Sequence, residues 1–259
     1  MYETRRVQRR VTSGHINIVV GDQMLPAFFS HPEGGKRYPG IIFLHHDWGL
    51  NGQVRAWTRR IAESGYYVMV PDLYEGQLAH SVEESRHLRE QSLESGPARF
   101  AAAREALQTH HNCNGKIGVI GWQMGGELAF QAAVRSPGLK AAVILCANPE
   151  PYLELVLQNQ TPILAFYGDA DPVITPLILN QFSVIIQDSP GLERMIVYPG
   201  VSAEYIDERS AEYHPTYAAK TWMRMLDFLS EHLDPPLEER ARTPEEDEEV
   251  MDDPDLEGR

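Results

Sequence analysis

The sequence predicts an α/β fold, a doubly wound, mostly parallel sheet flanked by helices. Two observations predict it. Short apolar runs recur at residues 41–45, 67–71, 116–120, 141–145, 163–167 and 195–198, each bounded by turn residues. Runs of that length without polar alternation read as parallel strands buried on both faces. Between them lie stretches with helical spacing, and strand–helix alternation implies right-handed crossovers that place helices on both faces of one sheet.

The opening section differs from the rest. Residues 15–20 and 24–30, separated by Gly21-Asp22-Gln23, read as an antiparallel hairpin at one sheet edge. The first parallel strand, 41–45, leads to an amphipathic helix over 54–64. The second, 67–71, precedes a long polar helix within 82–110. The third, 116–120, is followed by a helix over 126–135, and the fifth, 163–167, by one over 177–187. A last helix over about 216–232 places Ala219, Trp222, Leu226 and Leu229 on one face. At 259 residues these elements suit one domain, over 12–234, with a lead-in over 1–11 and a tail over 235–259.

Composition excludes several function classes. The net charge of −14 opposes nucleic acid as a partner. The tail holds eleven acidic and three basic residues, four prolines and few apolar groups. It reads as disordered, either a solubilising appendage or a docking segment for a basic protein partner. No run approaches the roughly 18 apolar residues that span a bilayer. The lead-in, with Arg5, Arg6, Arg9 and Arg10, has no apolar segment behind it and reads as solvated rather than as a secretory signal. Cys113 and Cys146 form neither metal spacing nor a redox motif, and Cys146 lies in an apolar run typical of core. Free thiols without a signal imply a cytoplasmic protein.

In such a sheet, ligands bind outside the carboxyl ends of the strands. Those ends read HHDWGLN, PDLYEG, GWQMGGE, GDADP and PGVSAEY. Gly121-Trp122-Gln123-Met124-Gly125-Gly126 has the frame of a nucleophile elbow, whose glycines permit a tight strand-to-helix turn. With LHHDWGLN, GYYVMVPDLYEG, YGDADPVIT and YPG…YHPTYAAKTWMRMLDFL in this order and spacing, the chain resembles the dienelactone hydrolase family over about residues 12–233. The resemblance implies the α/β-hydrolase fold and hydrolysis of esters or lactones by a Cys/Ser-His-Asp triad.

The triad positions depart from that family. Where it carries a cysteine or serine this chain has Gln123, whose carboxamide no base can activate. Asp171 of Gly168-Asp169-Ala170-Asp171 matches the family's acid. The family's histidine has become Ala203, followed by Glu204 and Tyr205. His214 belongs to Tyr213-His214-Pro215, which the family shows beyond that histidine, so it reads as the opening of the last helix. His46 stands where the family has an acidic residue controlling the nucleophile. The oxyanion hole is expected from the backbone N–H groups of Asp47 and Met124, whichever side chains they carry.

Loss of the nucleophile and histidine removes on the order of 10⁶ in turnover. The leading expectation is therefore a pseudo-hydrolase, without cofactor, that binds a small carbonyl- or carboxylate-bearing ligand or a partner. It requires an open pocket with both backbone donors free. A second reading is a hydrolase rebuilt on Asp47, Glu204 or His214. A third is a scaffolding protein with a closed pocket. His46, Trp48, Tyr74, Trp122, Glu204 and Tyr205 are expected around the pocket, with Gln123 either meeting a ligand or bonding to Asp171. His45 and His46, adjacent on a strand, point to opposite sides and do not share a metal.

Overall fold

The computed structural model describes residues 9–157, 159–188 and 192–235. Most of the lead-in and nearly all of the acidic tail therefore lie outside the described residues. Eight strands form one sheet in the order β1-β2-β4-β3-β5-β6-β7-β8. They are β1 (Val11–Val20), β2 (Gln23–Pro32), β3 (Tyr38–Leu44), β4 (Tyr67–Pro71), β5 (Cys113–Trp122), β6 (Ala141–Leu145), β7 (Ile163–Gly168) and β8 (Leu192–Tyr198). The β1–β2 hairpin joins the sheet antiparallel through β2 and β4. From β4 to β8 every pairing is parallel.

Helices cover both faces: α1 (Gly52–Glu63), α2 (Val82–Thr109), α3 (Met124–Arg135), the short α4 (Leu153–Val156), α5 (Pro176–Asp188) and α6 (Pro215–Leu233). Strand alternation sorts the core into two layers. Ile42, Leu44 and Val119 pack with Leu88, Phe100, Leu128 and Phe182 of α2, α3 and α5. Ile41, Phe43, Ile120 and Trp122 pack with Val54, Trp57, Met225 and Leu229 of α1 and α6. Fully burying each such side chain stabilises the fold by about 1.5–3 kcal/mol.

The chain steps outward from β3 to β4, then returns across β3 to begin β5. Neighbouring crossovers therefore diverge between β3 and β5, opening a crevice at their carboxyl ends. The turns after β3, β5, β6, β7 and β8 meet there. No helix among the described residues is long and apolar enough to cross a membrane.

Candidate functional site

The elbow frame is intact although its nucleophile is absent. A Cβ on Gly121 would stand 2.1 Å from Gly125 O, and one on Gly125 would stand 2.1 Å from Leu44 O. Only glycine admits this approach of α3 to the sheet. Gln123, between them, is held at φ 50°, ψ −114°. A non-glycine residue there stores about 1–3 kcal/mol of strain. Its amide Nε2 donates to Glu204 Oε1 at 3.0 Å rather than to Asp171, correcting one expectation.

Asp171 is spent on backbone. Its Oδ1 accepts from the N–H groups of Val173 and Ile174, both at 2.8 Å, and its Oδ2 accepts from Ala203 N–H at 3.0 Å. The matching acid thus ties the β7 loop to the short 3₁₀ turn Ala203–Ile206, with no imidazole between them.

The oxyanion position departs further. Asp47 Oδ1 accepts the Met124 N–H at 3.2 Å, so the first N–H of α3 already holds a carboxylate of this chain. The expectation of two free donors fails for Met124, because residue 47 carries an acidic side chain long enough to fold back onto the helix N-terminus. Tyr74 Oη and Ser85 Oγ each donate to Asp47 O at 3.0 Å, clamping the peptide behind it. Arg89 on α2 bonds to Glu127 on α3 and lies 3.8 Å from Asp47 Oδ1. Burial raises the pKa of both Asp47 and Glu127, with the Arg89 charge pulling each back down.

An open cleft of about 740 Å³ lies over these groups. Asp47, Gln123, Met124, Asp171, Ala203 and Glu204 line it. Arg86, Arg89, Glu127, Cys146, Asn148 and Glu212 add to its polar surface, and of these only Glu127, closing GWQMGGE, lies in a strand end that the sequence singles out. Val82, Val173 and Ile174 supply apolar wall. Cys146, expected in the core, is indeed buried but also forms cleft floor, at the carboxyl end of β6 with φ 53°. Its position directly after a parallel strand was the available signal. Glu204 is half-buried, and its pKa is raised by desolvation and by Asp207, Glu212 and Asp47.

Five of the six residues expected to surround the pocket do not line it. Trp122 is the last residue of β5, and strand alternation sends its ring to the α1/α6 layer, stacked on Trp57 at 5.4 Å. Tyr205 is fully buried, its Oη 2.8 Å from Thr221 Oγ1 beneath α6. Tyr74 lies under the cleft with its ring edge-on to His45 at 4.9 Å. Trp48, partly buried, packs against the α2/α3 core layer. His46 is fully buried against Trp122, and its Nδ1 accepts from Trp48 N–H at 3.0 Å. Burial, then His45 and Arg209, lower its pKa to about 3, so the ring is neutral. Glu204 alone of the six faces the cleft.

His45 and His214 are held by backbone groups. His45 Nε2 accepts from Leu73 N–H at 3.0 Å, which leaves the proton on Nδ1 to donate to His46 O at 2.9 Å. His214 caps α6, its Nδ1 accepting from Tyr217 N–H at 3.4 Å, and it is not among the cleft residues. Among the described residues, no group of three or more His, Cys, Asp or Glu side chains could hold a metal ion.

Residues 25–233 match the model of the dienelactone hydrolase family. A "Putative carboxymethylenebutenolidase" of Saccharolobus solfataricus is 28% identical over 242 residues, covering 78% of this chain and 92% of that protein. The crystal structure of a dienelactone hydrolase-like promiscuous phosphotriesterase from metagenomic libraries superposes with a TM-score of 0.75 at 20% identity, covering 86% of this chain and 98% of that one. Dienelactone hydrolase from Anabaena variabilis gives 0.67 at 17%, covering 86% and 99%. At these identities the structural likeness carries the fold.

Proposed function

The chain belongs to the dienelactone hydrolase family, and from that premise we propose that it is a non-hydrolytic member which binds a small molecule in the cleft, without the pair of free backbone donors that the sequence reading required. The observation that carries this reading is the double occupation of the catalytic machinery. Gln123 at the nucleophile's place is bonded to Glu204, and Asp47 holds the Met124 N–H that would stabilise an oxyanion. No nucleophile stands at the elbow, burial with Asp171 and Glu204 keeps the Cys146 thiol protonated, and no complete pair of free donors faces a bound ester. Removing one such donor alone costs about 10²–10³ in turnover, in addition to the missing nucleophile and histidine. The cleft is nonetheless open and of a volume that takes a small ligand, which disfavours a scaffold with a closed pocket.

A rebuilt hydrolase would need a group that activates water. His214 is committed to a helix cap and Asp47 to the Met124 N–H and Arg89, whereas Glu204 faces the cleft with a raised pKa and carries this second reading. Hydrolysis of p-nitrophenyl acetate and of a dienelactone separates the two. The wild-type chain is expected to show no turnover above buffer. Turnover that disappears in Glu204→Gln would overturn the non-hydrolytic reading.

A further inference from the structure

We propose that the cleft takes a cationic amine rather than a carboxylate, with Asp47 filling the anion seat from within and Glu204 pairing with the ligand's ammonium group. This deepens the non-hydrolytic reading and rests on it. The anion seat consists of the Met124 N–H at the start of α3 and the nearby Arg89 guanidinium. Asp47 Oδ1 accepts from the first at 3.2 Å and lies 3.8 Å from the second. Arg89 is also bonded to Glu127. A ligand carboxylate would have to displace one acid and compete with another for the same guanidinium.

What remains facing the cleft is negative. Asp47, Glu127, Asp171, Glu204 and Glu212 stand against Arg86 and Arg89. Three of these acids are already matched: Asp171 by three backbone N–H groups, Glu127 by Arg89, and Glu212 by the Ser202 hydroxyl. Glu204 is different. One of its oxygens accepts from Gln123, and among the described residues no guanidinium or ammonium pairs with it. Cys146, only 4% exposed, lines the cleft floor. An ammonium carries donors only, which suits the carboxylate of Glu204, while the exposed Arg86 lines the same cleft as its opposing charge. Val82, Val173 and Ile174 provide the apolar wall for the rest of such a molecule.

Calorimetric titration of the full chain with benzylammonium, benzoate and benzamide tests the assignment. Placing like charges together costs enough that benzylammonium is expected to bind at least about tenfold more tightly than benzoate. Glu204→Gln, whose amide can still bond to Gln123, should weaken benzylammonium by a similar factor and leave benzamide unchanged. Asp47→Ala frees the Met124 N–H and should let benzoate bind. Asp47→Asn, which keeps an acceptor on Met124, serves if the alanine variant does not fold, and should narrow the preference for the cation. Benzoate binding the wild type as tightly as benzylammonium, indifference of benzylammonium to Glu204→Gln, or no heat from any probe at millimolar concentration would overturn the proposal. Ester turnover is measured separately. A wild type that hydrolyses esters yet prefers benzylammonium refutes the non-hydrolytic reading alone, and an inert wild type that prefers benzoate refutes this inference alone.

Discussion

The side-chain amide of Gln123 donates to Glu204 Oε1 at 3.0 Å, joining the elbow to the turn that begins at Ala203. The elbow thus keeps its strained backbone with a carboxamide at its apex. If φ 50° at residue 123 is strained, glycine should be the better residue there. Gln123→Gly and Gln123→Ala both lose the contact with Glu204, so comparing them isolates the backbone. Relief of about 1–3 kcal/mol of strain outweighs the roughly 0.4–1 kcal/mol that glycine loses through the unfolded chain. The glycine variant should be more stable by about 1 kcal/mol in denaturant melts, the reverse of the usual order. An alanine variant of equal or greater stability would show that the position is not strained.

Restoring the triad should be insufficient on its own. Gln123→Cys with Ala203→His returns a thiol and an imidazole, and Asp171 already reaches residue 203 through its N–H. Asp47 would still hold the Met124 N–H. Adding Asp47→Ala to the double variant should raise kcat for p-nitrophenyl acetate by about 10²–10³, the worth of one oxyanion donor. A triple variant no faster than the double would mean that the Asp47 carboxylate does not obstruct the oxyanion position.

The fold was legible because its strands are uninterrupted apolar runs. Tyr67–Pro71 and Ala141–Leu145 have the bounds the sequence predicts. The strand expected at 41–45 instead begins at Tyr38, since Pro39 and Gly40 break the pattern. Gly40 belongs there because a Cβ would stand 2.6 Å from Ile117 Cδ1 and 2.8 Å from Leu107 Cδ2. At the site, motif frames located Asp47, Gln123, Met124, Asp171, Ala203 and Glu204, whose places follow from backbone turns. Side-chain direction was harder to read. The sequence places Trp122 at the pocket because its third strand ends at 120, whereas β5 runs on to Trp122 and two more residues of alternation turn the ring to the opposite layer. The Arg89–Glu127 pair spans 38 residues on separate helices, and no local pattern announces it.

The buried pair His45 and His46 should make the fold sensitive to mild acid. Desolvation, the largest cause for both rings, lowers their pKa values, that of His46 to about 3. Below the unfolded value of about 6.5, the unfolded chain takes up a proton that the folded ring refuses, so stability falls as pH drops from about 6.5 toward 3. For His46 alone, linkage gives a loss of about 2 kcal/mol between pH 7 and pH 5. Asp47, Glu127 and Glu204 act in the opposite sense, because their raised pKa values favour the folded state as pH falls through the carboxylate range. The wild-type slope therefore mixes both effects, and the difference from a variant isolates the imidazole. His46→Asn keeps a short acceptor for the Trp48 N–H and removes the titrating ring. Urea melts at pH 5, 6 and 7 should show wild type losing about 2 kcal/mol more than His46→Asn across this range. Parallel pH dependence of the two proteins would mean that His46 titrates normally in the folded state.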